Sequence, residues 1–129
     1  MANIINLTPH AINLYSASDC TEVQSGSYKS LVLREGAKAI ATYPSMGVAR
    51  ATASKAVVDQ LEIAGQVVAV NATTYGKPEG LPEPQTDTFF IVSALTAQAA
   101  RDRTDLLIVD GTVRDADNRI CGCTAFGRV

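Results

Sequence analysis

The chain has 129 residues, of which 47% are hydrophobic and 19% charged, and its formal net charge is -2. This length suits one domain with one core, and the composition is that of a folded globular protein rather than a disordered one. A slightly acidic chain has no basic field to attract a polyanion, which argues against polymeric nucleic acid as a partner. A small anion is compatible with this charge, because one or two well-placed arginines suffice to bind it.

Neither secretion nor membrane insertion is expected. The opening MANIINLTPH has no cationic segment followed by an apolar one, as a secretory signal would. The longest weakly polar stretch, Phe89 to Ala100, contains polar residues and falls short of the roughly 20 residues of a spanning helix. Three cysteines cannot all pair within one chain, which favours a reducing compartment, so we predict a cytoplasmic protein.

Two short strands are predicted at the start of the chain. Ile4–Leu7 and Ala11–Tyr15 carry strand-type residues on either side of the bend Thr8-Pro9-His10. The stretch from Ser16 to Ser30 is rich in Ser, Gly, Asp and Thr, and we interpret it as a long loop or a poorly formed hairpin.

The middle of the chain predicts a long antiparallel hairpin. The segments GVARATASK (residues 47–55) and VVAVNATTY (residues 67–75) alternate or are β-branched, and Gly65-Gln66 supplies a turn. A short helix over Ser54 to Leu61 is the alternative. Residues 76–87 concentrate glycine and proline and predict a surface loop.

The last third predicts a helix between strands. Phe89–Val92 is interpreted as a buried strand, and Ser93 stands at the N-cap position of a helix over Ala94–Arg101. Asp105–Val109 predicts a strand, and two more are expected around a turn at Asp117-Asn118, over residues 112–115 and 119–126. We therefore predict a single α+β domain over residues 1–129, with a mostly antiparallel sheet and one or two short helices.

No self-contained catalytic or metal apparatus is recognisable. His10 is the only histidine, and its ring either ties the bend through backbone hydrogen bonds or contacts a ligand. Cys121-Gly122-Cys123 brings two thiols close, yet a closed zinc site would need both Cys20 and His10 in addition. We interpret the cysteines as small core residues and predict no metal and no cofactor.

Several residues are candidates for holding an anionic, aromatic ligand. The turn before Arg50 has a hydroxyl and backbone amides near a glycine, and such a turn either cradles an anion or simply enters a hairpin. Arg101, Arg103 and Arg114 either bind phosphate through their guanidinium groups or are solvated charges. Tyr43 and Tyr75 either stack on a base or belong to the core. The candidate binding residues are Thr8, His10, Tyr43, Ser45, Arg50, Tyr75, Arg101, Arg103 and Arg114.

The strings INLTPHAINLY, PSMGVARA, TTYGKPEGLPEP, FIVSALTAQAARDRTDLL and VRDADNRICGC resemble a family of small uncharacterised proteins of phages, prophages and bacteria. The resemblance covers nearly the whole chain, and NLTPHAI is its most specific motif. Phage proteins of this size include sponges that capture nucleotide immune signals, such as the Thoeris anti-defence proteins that bind cyclic ADP-ribose isomers. The resemblance implies a phage-type protein, which would lie in the host cell cytoplasm if a phage encodes it.

Three functions are therefore predicted as alternatives. The first is a non-catalytic binder of a small nucleotide ligand, an immune-signal sponge of a cyclic ADP-ribose isomer or a cyclic oligonucleotide. A domain of this size has little interior for a pocket, so a sponge predicts a homo-oligomer in which the proline-rich loop or the amino-terminal bend closes over a neighbour. The second is a small enzyme on a nucleotide or phosphorylated substrate with His10 as general base. The third is a protein-interaction or virion accessory module.

Overall fold

The computed structural model describes residues 2–129, with side chains for all of these except Ser25 and Tyr28. Strands make up 52% of the chain and helices 7%. The strands are β1 Asn3–Asn6, β2 Ile12–Leu14, β3 Cys20–Ser25, β4 Tyr28–Leu33, β5 Ala41–Tyr43, β6 Ala53–Ile63, β7 Gln66–Tyr75, β8 Thr88–Ile91, β9 Leu106–Arg114 and β10 Ile120–Gly127, with one helix, α1, at Ala94–Ala99 and a 3₁₀ turn at Ala17–Asp19.

The fold is β-rich, which corrects the prediction of an α+β domain. Within residues 2–129 the helical part is limited to α1 and the 3₁₀ turn. Most of the remaining chain is extended because β-branched and aromatic residues recur in short runs separated by turns. The expectation of one or two short helices is met, but the helices form no layer of their own.

The main sheet is mixed rather than mostly antiparallel. Its strands follow the order β1-β8-β9-β10-β2-β5, and β4 pairs with β9 and with β3. Of the eight strand pairs among the described residues, four are parallel: β1 with β8, β8 with β9, β4 with β9 and β2 with β10. Parallel pairs join segments distant in sequence, and local alternation carries no signal for them.

Several local predictions are confirmed. The bend at residues 8–10 separates β1 from β2, and Ser93 caps α1, its hydroxyl accepting from the Thr96 amide at 3.3 Å. Two boundaries are wrong. Residues 16–30 contain the 3₁₀ turn and most of a regular hairpin, β3–β4, and β9 runs without a break as far as Arg114.

The core lies between the first part of the sheet and α1. Phe90 and Val92 are fully or almost fully buried and pack with Leu7, Ala97 and Leu106. Burying a side chain of this size contributes about 1.5–3 kcal/mol, so this small cluster supplies much of the fold's stability. The buried cluster also includes Ala49 and Ala100, with Ile5, Leu81 and Ile108 packed against it.

The predicted long hairpin is confirmed, and the alternative helix over residues 54–61 is wrong. Two of the predicted bounds are also wrong: the first strand begins at Ala53 rather than at residue 47, and the turn lies at Ala64-Gly65 rather than at Gly65-Gln66. Strands β6 and β7 pair only with each other and form what we call the arm, residues 53–75. The two residues of its tip, Ala64 and Gly65, both have positive φ, at 51° and 79°. This is the backbone of a type I′ turn, which matches the twist of a two-residue hairpin.

The amide of Asn6 ties the amino-terminal bend to the sheet. Its side chain is completely buried, and its nitrogen donates to the carbonyls of His10 at 2.7 Å and Tyr43 at 2.9 Å. Its oxygen accepts from the amide of Thr8 at 2.9 Å and from the Thr8 hydroxyl at 2.6 Å. All four hydrogen bonds that an asparagine amide can make are therefore formed inside the protein.

Replacing this residue tests how much the bend depends on it. We expect Asn6→Ala to lower the free energy of unfolding by about 2–4 kcal/mol, because buried carbonyls and an amide lose their partners. The measurement is urea unfolding. Asn3→Ala, an exposed position in the same strand, is the matched control and should change stability by less than about 0.5 kcal/mol. Equal effects of the two substitutions would contradict this role.

Candidate functional site

A cleft of about 570 Å³ opens beside the base of the arm. Its volume falls in the range of about 300–1,000 Å³ typical of small-molecule sites. Four segments form it: the amino-terminal bend, residues 48–51, the base of the arm and the start of α1. Its lining residues are Leu7, Thr8, Pro9, Val48, Ala49, Arg50, Ala51, Ala53, Lys55, Thr73, Tyr75, Ser93, Leu95 and Thr96.

The bend places Thr8 at one wall of the cleft. The Thr8 hydroxyl lies 2.6 Å from the Asn6 side-chain oxygen, and the Thr8 carbonyl accepts from the hydroxyl of Ser45 at 2.6 Å. Since its hydrogen is directed to Asn6, the Thr8 hydroxyl presents lone pairs to the cleft. Thr8 is therefore suited to accept a hydrogen bond from a ligand rather than to donate one.

Arg50 is anchored by its backbone and free to extend its side chain. Its amide and carbonyl exchange hydrogen bonds of 2.9 and 2.8 Å with Glu79 of the proline-rich loop. The neighbouring Ala49 is buried, its amide donates to the Leu7 carbonyl at 3.0 Å, and its carbonyl accepts from the buried Thr96 hydroxyl at 3.2 Å. Arg50 itself is exposed and forms no salt bridge within residues 2–129.

The arm contributes Lys55, Thr73 and Tyr75 to the cleft. Lys55 is paired directly with Thr73, and Tyr75 with Ala53. Because residues two apart on a strand share a face, these four side chains lie on one side of the arm. Tyr75 is 50% exposed, and the small Ala53 opposite it leaves its ring available for stacking.

The charges of the cleft have one sign. Arg50 and Lys55 are its charged lining residues, and no aspartate or glutamate is among the residues that line it. The chain as a whole has a net charge of -2, so this is a local concentration of positive charge against the average. An anion with an apolar or aromatic part matches two cations, Tyr75 and the apolar floor formed by Leu7 and Leu95.

In this cleft the structure brings together Thr8, Arg50 and Tyr75 of the predicted binding residues. Tyr75 also lines, with Arg103, a second cavity of about 590 Å³ beside the proline-rich loop. Tyr43 lies elsewhere, with its ring centroid 6.3 Å from that of Phe126 in a tilted arrangement. Ser45 lies behind the cleft and holds Thr8 through the contact described above, so it positions a lining residue rather than lining the site.

The other three predicted arginines lie outside the cleft. Arg103 makes two hydrogen bonds to the carboxylate of Asp105, at 2.8 and 2.7 Å, and a third to the Pro82 carbonyl at 2.9 Å. With these donors used, it fastens the proline-rich loop to the start of β9. Arg114 donates to the carbonyl of Asn118 at 3.0 Å, within the turn before β10, and Arg101 is exposed after α1.

His10 lies at a different cavity, of about 330 Å³, beside the two cysteines of β10. The bend is tied by Asn6 through the His10 carbonyl, and the imidazole forms no hydrogen bond with the side chains and backbone described for residues 2–129. His10 thus belongs to the same bend as Thr8 but does not line the cleft that contains Arg50 and Tyr75.

The cysteines are half-buried or buried, as expected of small core residues. Cys123 is only 1% exposed, and burial raises the pKa of its thiol and those of Cys20 and Cys121, which keeps them protonated and weakly reactive. A Cβ at Gly122 would overlap the Asn13 carbonyl and the Tyr15 ring, which explains a glycine between two cysteines. Within residues 2–129 no three His, Cys, Asp or Glu side chains are grouped to hold a metal ion.

Sequence reasoning identified three of the fourteen lining residues, and those it missed include Lys55, Thr73 and Leu95. A signal was available for Thr73, which lies two residues from Tyr75 on the same strand and therefore shares its face. Lys55 joins that face only because the bulge after Val57 shifts the register that the turn at residues 64–65 sets. Leu95 is 51% exposed on the first turn of α1, and no local pattern indicates that the helix begins beside the arm.

Comparisons with known proteins identify no relative from which the role of the cleft could be interpreted. No family model, no curated protein and no solved structure matches the chain. Neither helix described in residues 2–129 has the length and apolar character needed to cross a bilayer.

The pair Arg103–Asp105 predicts loss of stability in acid. Hydrogen bonds from Arg103 lower the pKa of Asp105 below its ordinary value of 3.8, against an opposing effect of burial. The stabilisation is therefore present above pH 3.8 and is lost as the pH falls through the lower folded value. We expect Asp105→Asn to lower stability at neutral pH and to reduce its further loss in acid.

Urea unfolding at neutral pH and below pH 3.8 measures this difference. Asp102→Asn, which changes an exposed carboxylate nearby, should keep the acid dependence of the parent chain. If the Asp105→Asn variant loses stability in acid to the same extent as the parent chain, the Arg103–Asp105 pair does not cause the acid dependence.

Proposed function

We propose that the chain is a non-catalytic binding protein for a small nucleotide ligand, held in the cleft beside the arm. The observation that carries the proposal is the pairing of Arg50 and Lys55, without a carboxylate, around a cavity that also presents Tyr75. Phosphate oxygens would accept from the two cations, and a base would stack on the tyrosine ring. An immune-signal sponge of the phage type, which the chain resembles in its size and in its available Arg and Tyr residues, is the form of this function that we favour.

The geometry suits binding by several weak contacts made at once. Nanomolar capture requires about 12 kcal/mol of binding free energy. Charge-assisted hydrogen bonds contribute about 1.5–3 kcal/mol each, and stacking of a base about 1–3 kcal/mol. Arg50 is fixed at its backbone by Glu79, and Tyr75 by its place at the end of β7, so little ordering of the backbone opposes binding.

The enzyme alternative, with His10 as general base, would need a substrate in the other cavity. His10 does not line the cleft that contains Arg50 and Lys55, so the two cations give no support to the enzyme alternative. The accessory-module alternative has an observation of its own, the exposed apolar residues of the arm.

Substitution of Arg50 tests the site. A panel of cyclic ADP-ribose isomers and cyclic oligonucleotides is first screened for a rise in melting temperature, because a ligand of the folded state stabilises it by mass action. For any nucleotide that binds, we expect Arg50→Ala to weaken binding about 10- to 100-fold by calorimetry, through loss of a charge-assisted hydrogen bond.

Arg101→Ala is the matched control, since it removes an exposed arginine that does not line the cleft. It should leave the dissociation constant unchanged. A nucleotide bound equally well by the Arg50→Ala variant, or no binding by any member of the panel, would contradict the proposed site.

Recovery of the ligand separates capture from turnover. Complexes are denatured by heat, and the released nucleotide is analysed by mass spectrometry. We expect the recovered nucleotide to have the same mass as the nucleotide that was added. An altered mass that persists in the Arg50→Ala variant and disappears in a His10→Ala variant would instead establish the enzyme alternative.

A further inference from the structure

The chain exposes more surface than a compact protein of its mass. Its accessible surface is 8891 Å², whereas a compact monomer of 13.6 kDa exposes about 6,600 Å². The excess, about 2,300 Å², is more than the roughly 800 Å² that each partner buries in a standard protein interface. The arm, in which neither strand has a buried residue, contributes to this excess.

The arm lacks the support that a hairpin needs. No residue of β6 or β7 is buried, and the two strands pair with no other strand of the described chain. An isolated two-stranded hairpin is at best marginally stable in water, and stability requires a third strand or a surface against one face. The 23-residue arm, residues 53–75, thus requires a covering surface that its own chain does not supply.

The pairing register separates the two faces of the arm. A bulge follows Val57, and beyond it Leu61 pairs with Val68 and Asp59 with Val70. In β7, residues 75, 73, 71, 69 and 67 share the face that lines the cleft, so Val68 and Val70 lie on the opposite face. We call this opposite side the outer face; it carries Ser54, Ala56, Asp59, Leu61, Ile63, Gln66, Val68, Val70, Ala72 and Thr74.

The outer face is apolar and almost uncharged. Leu61, Ile63 and Val68 are 50%, 55% and 42% exposed, and Val70 and Ala72 continue the stripe towards the base. Asp59 is its one ionisable residue. On the cleft side of the same distal half, Gln60 and Glu62 interrupt the apolar character.

We propose that the outer face is a dimerisation surface, on which the arm of a second copy of this chain packs about a two-fold axis. A two-fold interface presents the same patch from both copies, and the uncharged stripe beyond Asp59, formed by Leu61, Ile63 and Val68, is complementary to itself. Homodimer interfaces are more apolar than other interfaces, and charged residues are depleted at their centre. This composition favours a second copy over a charged partner that electrostatic attraction would select.

The dimer also bears on the cleft. Because Lys55, Thr73 and Tyr75 stand at the base of the arm, covering the outer face would fix the wall of the cleft from behind. The proposed dimer does not depend on the identity of any ligand, and its test uses the free protein. Failure of the dimer and failure of nucleotide binding are therefore separate results.

Two adjacent valines provide the test. Val68 and Val67 stand next to each other on β7 but on opposite faces, the outer face and the cleft face. Light scattering coupled to size-exclusion chromatography should give the wild-type chain twice its 13.6 kDa at micromolar concentration. We expect Val68→Asp to weaken dimerisation at least about a hundredfold, because a two-fold axis places each substitution in the interface twice.

Val67→Asp is the control, and it should remain dimeric. Circular dichroism and urea unfolding establish that each variant is folded, and Leu61→Asp serves as a second outer-face variant that should also give monomers. A monomeric wild-type chain overturns the proposal and leaves a different protein as the occupant of the outer face. A dimer that survives both outer-face substitutions, or that Val67→Asp disrupts equally, also overturns it.

Discussion

The position of the cleft depends on one buried amide. Asn6 ends β1, and its side chain joins three segments: the bend after the strand, the end of β5 and, through Thr8, the edge of the cleft. Its own carbonyl accepts from the amide of Met46 at 2.8 Å, which brings the segment leading to Arg50 alongside. A buried amide with every hydrogen bond formed fixes a single arrangement, since each alternative leaves a polar group unpaired.

Local features of the fold follow from the sequence, and long-range ones do not. The N-cap at Ser93 and the turn at Gly65 are chemical requirements of short segments, so they were predictable. Parallel pairing is different. Strand β1 pairs with β8 and β4 with β9, and neither pairing leaves a trace in the alternation of its own strands. The fold class was predicted as α+β rather than β-rich for the same reason, because one capped helix does not indicate what the rest of the chain forms.

The candidate site shows the same division. Arg50 and Tyr75 were identified from their residue types, but only the pairing of the arm places Lys55 beside them. Arg103 has the same side chain as Arg50 and a different environment, because Asp105 lies two residues away and takes its donors. Because of the bulge after Val57, counting alternate residues along β6 does not identify the outer face. Leu61 is an even number of residues from Lys55 and nevertheless lies on the opposite side of the arm.

The pairing of β1 with β8 also constrains how the chain acquires its structure. During synthesis Asn3–Asn6 leaves the ribosome first, yet its partner Thr88–Ile91 follows more than eighty residues later. Contacts so distant in sequence form late and slow the folding of a domain. Because Ser93, Leu95 and Thr96 also line the cleft, the cleft cannot be completed before this later part of the chain has been made.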